Sequence, residues 1–322
     1  MTTSGDMAWI KEKVALVFPG QGTQHVGMGR YLYDHFPSAR AVIDQADSVL
    51  GYQLSKLMFE GPDEELEDTL NAQPAILTVS VAALEALREQ MHSVGQKLQP
   101  VFVAGHSLGE YSALVAAGSL DFRDALNLVR ERGRLMKEAG NEFPGGMAAV
   151  LGIEPDTLAE ICAQASLETG GIVVVANDNC PGQTVISGQA GSLERAMELA
   201  LERGARRAVK LEISIASHSP LMDRAAKQLG EIVTRIDFRE PVVPIVSNLT
   251  GRVSTSVEEV RRNVGNHMTR PVMWTHSVRE MIDSGATTFV EVGPGNVLGG
   301  LIRRVKRDVK TMTLADLNLS GN

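Results

Sequence analysis

The segment 101–111, Val-Phe-Val-Ala-Gly-His-Ser-Leu-Gly-Glu-Tyr, constrains the fold of this chain more than any other. A β-branched and aromatic run breaks at Gly105, sets Ser107 between two glycines, and passes into a helical pattern over 111–117. Glycines two residues either side of a serine suit a tight strand-to-helix turn, where side chains would collide with neighbouring backbone. Such an elbow lifts the Ser107 hydroxyl off the end of a sheet and brings the Leu108 N–H into the same space at a helix N-terminus. The segment therefore predicts an α/β protein with an exposed serine nucleophile.

Organisation along the rest of the chain agrees with that prediction. The apolar run 14–18 ends at Pro19-Gly20 and reads as a buried strand entering a loop. Residues 122–139 place Ala125, Leu128, Val129, Leu135 and Met136 on one helix face. Strands are further expected at 244–246, 287–292 and 311–313. Strands alternating with long helices imply a parallel sheet covered on both faces.

Between 143 and 211 the pattern changes to strand 147–151, helix 155–166, strands 172–176 and 184–187, helix 192–203 and strand 208–211. This βαββαβ order is a ferredoxin-like unit. The expected architecture is an α/β-hydrolase-like large domain over 1–142 and 212–322, with a ferredoxin-like small domain inserted at 143–211.

Composition narrows the function classes. A net charge of −8, with no basic run interleaved with aromatics, argues against nucleic acid as a partner. The uncharged stretch 69–84 is interrupted by Asn71, Gln73 and Pro74 and reads as a buried helix, so no membrane association is expected. Residues 1–12 lack the apolar region of a leader. Two cysteines, Cys162 and Cys180, make no disulfide framework, and no Cys/His cluster has zinc spacing. A reducing cytoplasmic setting, no metal and a monomeric protein are the expectations. The run Arg303-Arg304-Val305-Lys306-Arg307 is a local basic exception, either the solvated face of a helix or a dock for an acidic partner.

Serine needs a general base. His106 adjoins Ser107 and should leave the turn in another direction, which makes it a poor base. His218 stands where a strand-like segment ends and Pro220 opens a helix, a place where sheet enzymes put such groups. Acyl chemistry also needs two oxyanion donors; Leu108 N–H is one, and Gln21, in a glycine-rich loop after the first strand, is the natural second.

These pieces together resemble one family: Phe18-Pro-Gly-Gln-Gly-Thr-Gln24, Asn71-Ala-Gln-Pro74, Gly105-His-Ser-Leu-Gly-Glu-Tyr111, Arg130-Glu-Arg-Gly133, Ala176-Asn-Asp-Asn-Cys-Pro-Gly-Gln183, Ser217-His218 and Glu291-Val-Gly-Pro-Gly295. The chain is similar, in order from about 13 to 307, to the malonyl-CoA:acyl carrier protein transacylases. The resemblance implies Ser107 as nucleophile, His218 as base, the Gln21 and Leu108 amides as oxyanion hole, and Arg132 as the guanidinium that holds the malonyl carboxylate. His106, Gln73, Asn177 and Ser217 would contact substrate or its immediate supports. Backbone carbonyls would orient the histidine, one from Asn248 or its neighbourhood and one from the segment before Pro271, where relatives carry Gln or Asn and this chain has His267.

The implied reaction is a ping-pong transfer from malonyl-CoA through a malonyl-serine to the phosphopantetheine thiol of acyl carrier protein, without redox or metal cofactor. Two other readings stay open, a serine hydrolase of the same architecture and an idle carrier-protein scaffold. Ser217 leaves malonyl against methylmalonyl undecided. Fatty-acid synthesis is the expected pathway, with a trans-acting polyketide acyltransferase as the alternative.

Overall fold

The computed structural model describes Trp9 and residues 12–321. Most of the N-terminal stretch 1–12, where no leader is expected, lies outside the described residues. The chain forms β1 (Val14–Phe18) and β2 (Phe102–Gly105), then β3 (Gly145–Leu151), β4 (Val173–Cys180), β5 (Gln183–Gln189) and β6 (Arg207–Lys210). It ends with β7 (Ile245–Val246), β8 (Val253–Ser254), β9 (Thr288–Glu291) and β10 (Lys310–Met312).

Six strands make one sheet in the order β10-β9-β1-β2-β7-β8, parallel except for β8, which runs antiparallel to β7. Strand alternation divides its side chains between two cores. Leu16, Phe18, Val103 and Val290 enter the larger core, against the helices Pro37–Leu50, Thr69–Ser93 and Phe122–Glu142. Ala15, Val17, Ala104 and Phe289 enter the smaller one, with Trp274, Val278 and Ile302. Helix Thr69–Ser93 is apolar along its length because it crosses the larger core, where 83% of its most apolar window is buried.

The other sheet has the order β4-β5-β3-β6, antiparallel throughout, with helices Pro155–Thr169 and Ala190–Glu202 packed on one face. This is the ferredoxin-like order, and every strand expected from the sequence between 143 and 211 is present. Its second face is small, formed by Met147, Ala176 and Val185 with Leu211 and Ile213 beside them. That face covers the carboxyl ends of β1 and β2, where ligands sit in open α/β sheets. β8 was not expected; a two-residue strand carries no readable alternation.

Candidate active site

Ser107 follows β2 with φ at +50°, in the left-handed region that non-glycine residues seldom occupy. The flanking glycines permit this: a Cβ on Gly105 would overlap the Gly109 carbonyl group, and one on Gly109 would overlap the Phe18 carbonyl oxygen. Asn248 then locks the turn from both sides. Its Oδ1 accepts the Ser107 N–H at 2.7 Å, and its Nδ2 donates to the Gly105 carbonyl. Satisfying two backbone groups beside a strained residue is what holds such a conformation in place.

Asn248 therefore differs from its expected role. Its own carbonyl accepts from Met273 N–H at 2.8 Å and does not orient the histidine. The carbonyls that do so belong to His267, 3.0 Å from His218 Nδ1, and to Arg270, 3.1 Å away. Arg270 precedes Pro271 and is extended at φ −122° and ψ 151°, the conformation proline imposes on the residue before it, and this turns its carbonyl to the ring. With two acceptors at Nδ1 the proton sits there, and Nε2 is free to accept. Nε2 lies 2.8 Å from Ser107 Oγ, so the two side chains meet across 111 residues of sequence. His218 is itself in the left-handed region at φ +58°.

Arg132 is buried at 2% exposure on helix Phe122–Glu142. Asp121 caps that helix by accepting Arg123 N–H, a contact worth about 1 kcal/mol. NH1 donates to Gln73 Oε1 at 2.7 Å and NH2 to Ser107 Oγ at 3.3 Å, while Nε has no hydrogen-bond partner among the described residues. The end of the guanidinium next to Ser107 lines the cavity, and a carboxylate would match it in planar shape and charge.

A cavity of about 240 Å³ opens over these groups, lined by Gln21, His106, Ser107, Arg132, Asn177 and His218 among others. Ser217 lines it too, the small sheet supplies Met147 and Val185, and the segment after its last strand supplies Leu211 and Ile213. A register shift in β4 between Val175 and Asn177 decides which way Asn177 faces. Val175 packs on the helix side; the shift turns Asn177 to the cavity, where its Oδ1 has no partner among the described residues. His106 leaves the elbow away from the serine; its Nε2 meets Asn179 Oδ1 at 2.7 Å and its ring stands edge-on to Trp274. Gln21 lines the cavity floor with its side-chain Oε1 bonded to Thr69 Oγ1 at 3.0 Å, and Leu108 stands at the start of helix Gly109–Ala116.

Burial, followed by the positive field of Arg132, pushes His218 down to about 3. Burial likewise holds His267 well below its ordinary value and drives Glu110 up to about 8. The 3.7 Å contact between His267 Nε2 and Glu110 Oε2 therefore joins two uncharged groups at neutral pH. Sequence reasoning passed over Arg270, Asn179, Thr69 and Glu110. Only Arg270 carried a local signal, the proline after it.

A strained serine, a neutral imidazole held by carbonyls and a buried guanidinium aimed at one oxygen make up a site for acyl transfer. Residues 15–318 match the family described as the acyl transferase domain. The chain is 46% identical over 304 residues to the malonyl CoA-acyl carrier protein transacylase of Bacillus subtilis (strain 168), covering 94% of each. The solved malonyl-CoA:acyl carrier protein transacylase of Xanthomonas oryzae pv. oryzae is 41% identical, with TM-score 0.90 over 96% of this chain and 97% of that one. A second solved structure is a type II PKS acyl-carrier protein in complex with its malonyl-transacylase. It is 38% identical, with TM-score 0.88 over 95% of this chain and 98% of that one. The chain belongs to the malonyl CoA-acyl carrier protein transacylase family.

Proposed function

We propose that the protein transfers the malonyl group from malonyl-CoA to the phosphopantetheine thiol of acyl carrier protein, for fatty-acid synthesis, through a malonyl ester on Ser107. The observation that carries this is the convergence of His218 Nε2 at 2.8 Å and Arg132 NH2 at 3.3 Å on the Ser107 oxygen. As Oγ attacks the thioester carbon, its proton passes to His218 Nε2, and the backbone amides of Gln21 and Leu108 receive the developing oxyanion. The carbon–sulfur bond then breaks and the CoA sulfur takes the proton. In the second half the carrier thiol gives its proton to His218, its sulfur attacks the ester carbon, and the carbon–oxygen bond to Ser107 breaks as Oγ is reprotonated. Each half is balanced by protein groups alone, without a metal or redox partner.

The bound carboxylate has a second effect. Because Arg132 is the largest charged influence depressing His218, neutralising it raises the basicity of the imidazole when a malonyl group, and not an acetyl group, is in place.

Incubation of the purified protein with malonyl-CoA, followed by peptide mass spectrometry, tests the reading. One malonyl group on the peptide containing Ser107, discharged by holo acyl carrier protein, is expected. Label that never attaches, or that leaves only to water, sinks it and favours the scaffold or the hydrolase. A buried cation is costly without a partner, which disfavours a hydrolase of neutral esters. Competition among malonyl-, methylmalonyl- and acetyl-CoA for the same serine would fix the extender unit.

We place the protein in the cytoplasm as a monomer. Its two cysteines are free and buried, with burial raising the Cys162 thiol to about 12, as suits a reducing compartment.

The basic run lies at the cavity rim. Arg304 NH1 donates to Gln183 Oε1 at 2.5 Å, Gln183 lines the cavity, and Arg303, Lys306 and Arg307 are exposed beside it. Charge reversal at Arg303, Arg304 and Lys306 is expected to raise KM for carrier protein alone, an effect that shrinks with added salt. An unchanged KM would assign the run to helix solvation.

A further inference from the structure

Thr69 has no part in the chemistry described so far, yet its hydroxyl joins the two sides of the site. It is the first residue of helix Thr69–Ser93, buried behind the cap residue Asp68. Its Oγ1 donates to Gln21 Oε1 at 3.0 Å and accepts from Gln73 Nε2 at 2.8 Å. A hydroxyl has one proton. Once that proton is given to Gln21, Thr69 offers Gln73 only lone pairs, so Gln73 must turn its amide nitrogen towards Thr69.

The Gln73 amide is planar, and its oxygen then faces the other way, onto Arg132 NH1 at 2.7 Å. Reversing the amide would set donor against donor at the guanidinium. NH1 is thereby committed to Gln73, and NH2, beside Ser107 Oγ at the cavity, is left for a carboxylate. The linkage is short because the Arg132 helix touches Thr69 directly. A Cβ on Gly133 would come within 2.7 Å of the Thr69 carbonyl oxygen, so only glycine admits this approach.

We propose that Thr69 is a positioning residue that sets, through one hydroxyl, both the Gln21 loop and the carboxylate-binding edge of Arg132. The inference rests on the malonyl-serine reading above. Recognition of the carboxylate is thereby tied to a residue that touches neither substrate nor Arg132.

The test is single-turnover acylation of Ser107 by malonyl-CoA and by acetyl-CoA in Thr69→Val, which keeps the shape, and Thr69→Ser, which keeps the hydroxyl. Thr69→Val, which removes the hydrogen bonds to both Gln21 and Gln73, is expected to lower malonyl acylation about tenfold, with a distinctly smaller loss for acetyl. Thr69→Ser should restore the malonyl-to-acetyl ratio. Equal losses for both donors, or a serine variant with the valine phenotype, would overturn the proposal.

Should Thr69→Val fail to fold, Gln21→Leu gives a second readout. It releases the Thr69 proton without touching Arg132, and the proposal expects the same fall in ratio; an unchanged ratio rejects it. If the wild-type protein takes no malonyl at all, the underlying reading fails and takes this one with it. A malonylated wild type with unchanged ratios in the variants overturns only the role of Thr69.

Discussion

Arg132→Ala is expected to lower kcat/KM for malonyl-CoA by about 10²–10³-fold, the loss of two charge-assisted hydrogen bonds to a carboxylate. The same variant should keep most of its reaction with acetyl-CoA, which has no carboxylate to hold. This asymmetry separates a substrate clamp from a structural cation. Arg132 is buried beside Tyr111, with its guanidinium carbon 5.8 Å from that ring centroid, and removal leaves space as well as lost charge. Space alone would slow both donors. Parallel loss toward acetyl and malonyl, measured by acylation of Ser107, would refute the clamp.

His218→Ala is expected to reduce acylation by about 10²–10⁴-fold, the contribution of a positioned general base. The pH dependence gives a finer test. Burial holds the folded imidazole near 3, against 6.5 in an open chain, so it stays an unprotonated base throughout the neutral range. Single-turnover acylation should therefore not decline as pH falls from 8 towards 6. Stability behaves differently. Between those two values the unfolded chain binds the proton and the folded one refuses it, so stability falls as pH drops below 6.5. His267, also depressed by burial, adds to the same fall, while Glu110, raised by burial to about 8, works the other way between 8 and 4.5, so the two histidines outweigh it only below 6.5. A flat rate with a Tm that declines only below 6.5 is the expected pair of curves; a rate that halves near 6.5 would mean that His218 has ordinary basicity.

Much of this was legible in the sequence, for reasons that can be named. The large-sheet strands show as apolar runs because both faces of that sheet are covered, so Val14 to Phe18 need no polar alternation. Ser107 shows because only glycine fits at 105 and 109. The ferredoxin-like unit shows because its elements follow one another without interruption. By contrast, nothing local distinguishes Arg132 from a surface charge on an amphipathic helix. Its burial depends on Gln73, 59 residues away. The sequence points to the Asn248 carbonyl as an acceptor for the histidine, whereas its side chain is the brace of the elbow, a contact spanning 143 residues. Thr69 is invisible for the same reason, since its partners converge only after two helices and a loop have packed.

The ceiling over Ser107 is made by a face whose buried members, Met147, Ala176 and Val185, stand apart from the larger core and meet it through Ile213. Remodelling at Met147, Val185 or Leu211 therefore changes the room above the acyl chain without loosening the foundations beneath it. Enlarging or narrowing that overhang offers a route to bulkier or smaller acyl groups in which reactivity and size selection are adjusted separately.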